Sequence, residues 1–376
     1  MTDAIEEVFA GQLTGIEAEL EDFSPTEPKP WDPEKIRVTT KSFSLRNVLD
    51  MIDSDDLELA PDFQRNRVWK YGQKSRLIES VMLQIPLPAF YFAEDGDGML
   101  RVVDGLQRLS TIHDFARSDS FELRDLEYLK DREGLNFHGI GPILQRRIHN
   151  TQIVAHVIDP TTPDDVKYDI FKRINTGGEP LNAMEIRHCM SKPRSRNFLK
   201  DCTMIESFHR ATNGTLRDHV RMNDREAALR FVAFRLLDDT SQYDEFGSLE
   251  RLLDWACRVL DDEKQVSDDD LHTLRVEFDR AMRSAFKVFG VHAFRKWPVD
   301  SERMFPINRA LFESWAFAFA EADVDPDDNA RERISSTARE AMSFDERYIS
   351  SISTSTSDPA RVAYRFNTAR QIVGQR

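Results

Sequence analysis

At 376 residues, with 40% hydrophobic and 10% aromatic side chains, the chain has the length of two ordinary domains and the composition to bury a large core. Its net charge of −15 argues against a protein that coats nucleic acid without regard to sequence. Cys189, Cys202 and Cys257 are widely spaced with no C-x-x-C pair, no apolar run is long enough to span a bilayer, and the acidic start MTDAIEEVFAGQ lacks the pattern of a secretory signal, so reduced thiols, no membrane and a cytoplasmic location are expected.

In chain order, residues 1–37 carry Pro25, Pro28, Pro30 and Pro33 among many acids and read as an extended or partly ordered lead-in. A short helix is expected over Phe43–Ile52, with Ser44 as its cap. From Gln73 to Leu83 the apolar residues Leu77, Ile78, Val81 and Met82 recur at helical spacing, and Pro86 and Pro88 stop that helix. Ala89–Ala93 and Leu100–Val103 read as strands joined by the hairpin signal EDGDG, and Thr151–Ile158 as another strand. Beyond about residue 162 the periodicity is helical, over 224–238, 247–261, 268–289, 307–321 and 328–342. The expectation is an α+β chain, a small α+β domain followed by an all-helical one, with a boundary between residues 160 and 200.

Charge is unevenly spread. Residues 1–34 hold ten Asp/Glu against one Lys, whereas residues 187–235 hold eleven Lys/Arg against five Asp/Glu. A net acid can therefore still present a basic face. Arg194, Arg196, Lys200, Arg210, Arg217, Arg221 and Arg225 are candidates for holding a DNA backbone, and a solvated helix surface is the plainer reading of the same residues.

The stretch VVDGLQRLST, Val102 to Thr111, passes from a β-branched pair through Asp104-Gly105 into a helix. Such a turn leaves backbone N–H groups free at the positive end of a helix, a ready anion site. Arg108 adds a fork that fits phosphate, and Gln107 could orient a water or a base edge. Asp104 could hold a divalent cation or a polarised water, or simply cap the helix with Arg108 as its surface partner. Two other segments have the same flavour. PDFQRNRVWK, Pro61 to Lys70, pairs Gln64 with Arg65 beside Trp69. FKRINTGGEPLNAMEIRH, Phe171 to His188, turns at Asn175-Thr176-Gly177-Gly178 and enters a helix whose first turn holds Glu185.

Taken together and in this order, QRNRVW, SVMLQIPLP, VVDGLQRLST and FKRINTGGEPL resemble the N-terminal domain of the GmrSD-type modification-dependent restriction systems, over roughly residues 40–190. The usual loop of that family is D-G-Q-Q-R; here Leu106 stands in place of the first Gln. The resemblance implies a ParB/sulfiredoxin-like nucleotide-binding fold for residues 38–190, ahead of the helical domain at 191–376. It implies binding or hydrolysis of a nucleoside triphosphate in defence against foreign DNA. By position, Asp104, Gln107 and Arg108 would form the catalytic core, with Mg2+ at Asp104. Gln64, Arg65, Gly105, Arg108, Thr111 and Asn175 would contact the nucleotide; apart from the resemblance, Arg194, Arg196, Arg217 and Arg221 of the basic stretch are the candidates for binding duplex DNA.

Many members of that family add an HNH nuclease, which needs a His base beside metal ligands on a ββα hairpin. Residues 200–376 offer only His209, His219, His272 and His292, in helical surroundings. Asp165-Val166-Lys167 is a poor match to a nuclease motif because it stands at a helix entrance. Cutting is therefore expected from a partner nuclease. The alternative to an NTPase is a DNA-binding or nucleotide-sensing module without turnover.

Overall fold

The computed structural model describes residues 4–9, 11–19, 36–59, 69–174, 181–219, 221–322 and 326–374. The chain divides into two compact units, Pro28–Cys189 and a second composed of Met1–Glu27 with Met190–Arg376.

The N-terminal hairpin belongs by its contacts to the second unit. It consists of β1 (Glu6–Phe9) and β2 (Gln12–Glu17). The first unit then begins with β3 (Val38–Ser44), α1 (Leu45–Asp53), β4 (Leu57–Glu58) and α2 (Tyr71–Met82). It continues through β5 (Phe90–Glu94), β6 (Leu100–Asp104), α3 (Leu106–Ala116), α4 (Pro142–Asn150), β7 (Gln152–Ile158), α5 (Asp164–Ile174) and α6 (Ala183–Met190). Its five strands lie in the order β3-β7-β5-β6-β4. The β3/β7 and β5/β6 pairs are antiparallel, and β5/β7 and β4/β6 are parallel.

Period-2 alternation gives this sheet one apolar face. Phe90 and Phe92 of β5, Val102 of β6, and Ile153, Ala155 and Val157 of β7 are all buried. They meet Leu45, Val48 and Leu49 of α1, Ile78, Val81 and Met82 of α2, and Leu109, Ile112 and Phe115 of α3. Each of these large side chains stabilises the fold by about 1.5–3 kcal/mol relative to exposure. Ser44 caps α1 as its sequence suggests, its hydroxyl accepting from Asn47 N at 3.2 Å. Gly141 (φ +85°) and Pro142 start α4. β3 was not among the expected strands: residues 38–42 are exposed, so it is an edge strand held by seven register pairs to β7 rather than by an apolar pattern.

Glu79 of α2 shows how the first unit holds its longest loop. It is 3% exposed and accepts backbone N–H groups from Glu127, Tyr128 and Leu129 at 2.7–2.9 Å. Burial pushes its pKa up, but these three donors and Lys130 outweigh burial and hold the carboxyl below its usual range. A depressed folded-state pKa contributes stability above the unfolded value that is lost as pH falls. Glu79→Ala is expected to cost about 2–3 kcal/mol in urea unfolding at pH 7. The difference from the wild type should narrow below pH of about 4.3, and equal stability at pH 7 would refute this role.

The second unit is helical: α7 (Pro193–Thr203), α8 (Glu206–Ala211), α9 (Asn223–Arg235), α10 (Tyr243–Phe246), α11 (Leu249–Leu260), α12 (Asp268–Phe289), α13 (Arg309–Ala322), α14 (Asp328–Phe344), α15 (Glu346–Ser351) and α16 (Pro359–Gly374). Among the described residues, no helix is long and apolar enough to cross a membrane.

The hairpin is tied into this bundle. Glu17 N donates to Ile307 O and Ile307 N to Gly15 O, both at 2.8 Å. Gly15 (φ +78°) has no room for a Cβ, which would stand 2.3 Å from Thr215 Cγ2. The acids expected in a loosely ordered lead-in are instead ion-pair partners. Glu19 pairs with Arg230 at 2.7 Å, Glu7 with Arg309 at 2.8 Å, and Glu17 with Lys296 at 2.6 Å. Burial would raise the pKa of Glu19, but Arg230 and Arg309 hold it at about 2. The acid excess of the first residues and part of the basic excess of 187–235 thus meet inside one unit.

Candidate functional site

The Asp104–Arg108 turn is fixed by sterics at its centre. β6 ends at Asp104, and Gly105 adopts φ 97°, ψ 7° before α3 begins. A Cβ on Gly105 would lie 2.2 Å from Cδ1 of Phe90, a fully buried ring. Only glycine suits this position, for its left-handed backbone and for the close approach of Phe90. The first-turn N–H groups of α3 have no intrahelical acceptor, and no side chain of the N-cap residue covers them.

Arg108 is a clamp. Its Nη1 donates to Pro88 O, and its Nη2 donates to Ala89 O at 3.2 Å and to Asp104 Oδ2 at 2.9 Å. Its guanidinium carbon stands 4.3 Å from the Phe90 ring centroid. Burial lowers its pKa and Asp104 opposes that, so it remains a cation. Three of its five N–H donors therefore serve the protein itself, and the other two have no hydrogen-bond partner among the described residues. Asp104 is held by Arg108 rather than capping the helix, and its Oδ1 makes no hydrogen bond among the described residues. The half-buried Gln107 side chain likewise has no hydrogen-bond partner there.

Leu106 packs against the core. At this position the side chain serves packing while the backbone N–H serves the turn. Thr111, expected beside a nucleotide, is 1% exposed, and its hydroxyl donates to Gln107 O at 2.7 Å. A β-hydroxyl one turn into the helix finds the i−4 carbonyl more easily than the helix mouth. Gln64, Arg65 and Asn175 lie outside the described residues. Trp69 packs against the core. Asn182 and Glu185 cap α6 reciprocally, with Glu185 N donating to Asn182 Oδ1 at 2.8 Å and Asn182 N to Glu185 Oε2 at 2.7 Å.

The four arginines considered for DNA have different surroundings. Arg194 donates to Leu260 O at 2.8 Å and pairs with Asp268 at 2.7 Å. Arg196 is 7% exposed. Arg221 lies over the ring of Phe9, 4.7 Å from its centroid. Arg217 has a 55% exposed side chain, 3.6 Å from Glu206. Among the described residues no group of three or more His, Cys, Asp or Glu side chains is placed to hold a metal.

One feature beside the turn was not legible in the sequence. Asp104 of β6 is the register partner of Tyr91 of β5, Tyr91 of His156 of β7, and His156 of Thr40 of β3. A register irregularity falls between Tyr91 and Phe92, where a bulge re-aims side chains at the strand end. A polar row thus runs from the turn across four strands, and only strand register brings it together.

Comparison with known proteins agrees with this geometry in extent. No curated protein matches the chain. Residues 45–191 match the family described as GmrSD restriction endonuclease, N-terminal domain. The match runs from the first residue of α1 to just past α6, enclosing the Asp104–Arg108 turn and the Asn182–Glu185 cap. Over residues 45–191 the chain is therefore similar to the N-terminal domain of GmrSD restriction endonucleases, a domain of restriction-system proteins.

Proposed function

We propose that the chain binds and hydrolyses a nucleoside triphosphate at the Asp104–Arg108 turn, as the nucleotide-responsive component of a restriction-type defence system acting against foreign DNA. One observation carries the reading: an uncapped helix N-terminus follows a glycine no other residue can replace, with a carboxylate clamped at its mouth. Free N–H groups and the helix dipole favour an anion there. The domain match supplies the defence context.

In this scheme the N–H groups of Leu106, Gln107 and Arg108 hold phosphate oxygens. Asp104 Oδ2 is fixed by Arg108, and Oδ1 has no hydrogen-bond partner among the described residues. A single carboxylate fits Mg2+ whose remaining ligands are phosphate oxygens and waters, and the ion would neutralise charge on the triphosphate. Gln107, with an uncommitted amide, orients the attacking water. That oxygen bonds to the γ-phosphorus as the bridging P–O bond breaks, releasing phosphate and the nucleoside diphosphate. Gln64, Arg65 and Asn175 are further contacts that the domain resemblance suggests. Duplex DNA is the proposed signal, Arg217 the best exposed basic contact for it, and a partner nuclease the effector.

Arg108 acts mainly by positioning Asp104 and the carbonyls of Pro88 and Ala89. Arg108→Ala is expected to weaken nucleotide binding by about 1.5–3 kcal/mol, the range for charge-assisted bonds. Calorimetry of ATP and GTP with Mg2+ measures this, and unchanged affinity in a folded variant would contradict the assignment. Binding without phosphate release in the wild type would reduce the chain to a sensor.

A further inference from the structure

The Thr40, His156 and Tyr91 side chains of the polar row face away from the core, and Asp104 stands at its end, held by Arg108. Phe90 and Phe92 flank Tyr91, Ala155 and Val157 flank His156, and all four are buried at 0–1% exposure. Tyr91 and His156 are half-buried, with ring centroids 4.9 Å apart and planes inclined by 39°. Thr40 Oγ1 sits 3.0 Å from His156 Nδ1 and orients that ring. Neither the Tyr91 hydroxyl nor His156 Nε2 has a hydrogen-bond partner among the described residues.

We infer that Tyr91 and His156 form the base-binding wall of the nucleotide site, the rings giving a stacking surface and their free polar atoms meeting the base edge. This rests on the nucleotide-binding reading of the Asp104 turn and adds where the base lies. The spacing supports it. Neighbouring strands lie about 4.8 Å apart, so His156 stands about 10 Å, two strands, from Asp104. A nucleotide with its phosphates at the α3 N-terminus extends over Tyr91 towards His156. An aromatic pair serving only the sheet would stabilise it through cross-strand contact and leave ligand affinity unmoved. Two adjacent, partly open rings with unpartnered polar atoms, in register with the carboxylate of the turn, are what a planar heteroaromatic ring requires.

The test is calorimetric titration of the full chain with Mg2+ and three probes: ATP, GTP and inorganic tripolyphosphate. The wild type should bind at least one nucleotide more tightly than tripolyphosphate. Tyr91→Ala and His156→Ala should each weaken that nucleotide about tenfold, the range for a lost base stack, and leave tripolyphosphate unchanged. Tyr91→Phe keeps the ring and loses only the hydroxyl, so its nucleotide affinity should fall between wild type and Tyr91→Ala, and unchanged tripolyphosphate binding guards against a folding defect in the alanine variants. Equal binding of nucleotide and tripolyphosphate, or nucleotide affinity indifferent to both alanine variants, would overturn the base wall while leaving the phosphate site standing. Failure of the wild type to bind any of the three would overturn the nucleotide site and this inference together.

Discussion

Glu313→Ala is expected to destabilise the helical unit by about 3–5 kcal/mol, the cost of leaving a buried charge without its partner. Glu313 is 0% exposed in the second turn of α13. It accepts from Arg365 of α16, also 0% exposed, and pairs with Arg230 of α9 at 3.3 Å. Arg365 retains donors to Thr356 O at 2.6 Å and Ser351 O at 3.4 Å, but these carbonyls carry no formal charge. Arg230 keeps Glu19 and Glu226, so the damage should concentrate at Arg365. The double variant Glu313→Ala with Arg365→Met removes both charges and should recover much of the loss. Urea unfolding followed by circular dichroism reads both effects. A single variant within about 1 kcal/mol of wild type would show that water or Glu19 can replace Glu313.

Gly105→Ala should cost about 2–4 kcal/mol and abolish nucleotide binding, combining backbone strain with overpacking. The added Cβ would meet Phe90 at 2.2 Å, and Phe90 has no free space to yield because it is fully buried. Arg108 stacks on that ring, so displacing Phe90 displaces the clamp on Asp104. Gly98 is the matched control: it has φ +82° but nothing within 4 Å of an added Cβ. Gly98→Ala should therefore show the backbone cost alone, about 1 kcal/mol, with nucleotide binding intact. Equal effects from the two substitutions would mean that the close approach of Phe90 is not what fixes the turn.

Much of the first unit was legible because its signals are local. Ser44 before an apolar period, the EDGDG turn between two apolar runs, and Pro86 and Pro88 after α2 each report on their own neighbourhood. What escaped depended on partners distant in sequence. The hairpin Glu6–Glu17 reads as an acidic tail until Arg230, Arg309 and Lys296 are brought to it. Of these cations only Arg230 belongs to the basic stretch 187–235, so composition offered at most part of the signal and did not say that the segments meet. The basic stretch also misleads because Arg187, Arg196 and Arg230 are buried, and side-chain counts cannot tell a buried arginine from a solvated one. α16 has Val362, Phe366, Ala369 and Ile372 on one face, but Arg365 sits among them and hides the period.

At the site, the strand–glycine–helix turn could be read from VVDGLQRLST, and so could the importance of Asp104 and Arg108. The engagement of Arg108 with Pro88 and Ala89 could not, because it depends on how β5 enters the sheet. The inward rotation of Thr111 and the inward packing of Leu106 are likewise consequences of where α3 docks. Tyr91 and His156 lie 65 positions apart and meet only through the β5/β7 register.

The most direct test of a nucleotide-hydrolysing turn is phosphate release by the purified full-length chain with ATP or GTP and Mg2+, in the presence and absence of duplex DNA, beside Asp104→Asn. The account predicts turnover that depends on the triphosphate and is lost in Asp104→Asn while the variant remains folded. Turnover of equal rate in Asp104→Asn, or no phosphate release by the wild type under any of these conditions, would contradict it.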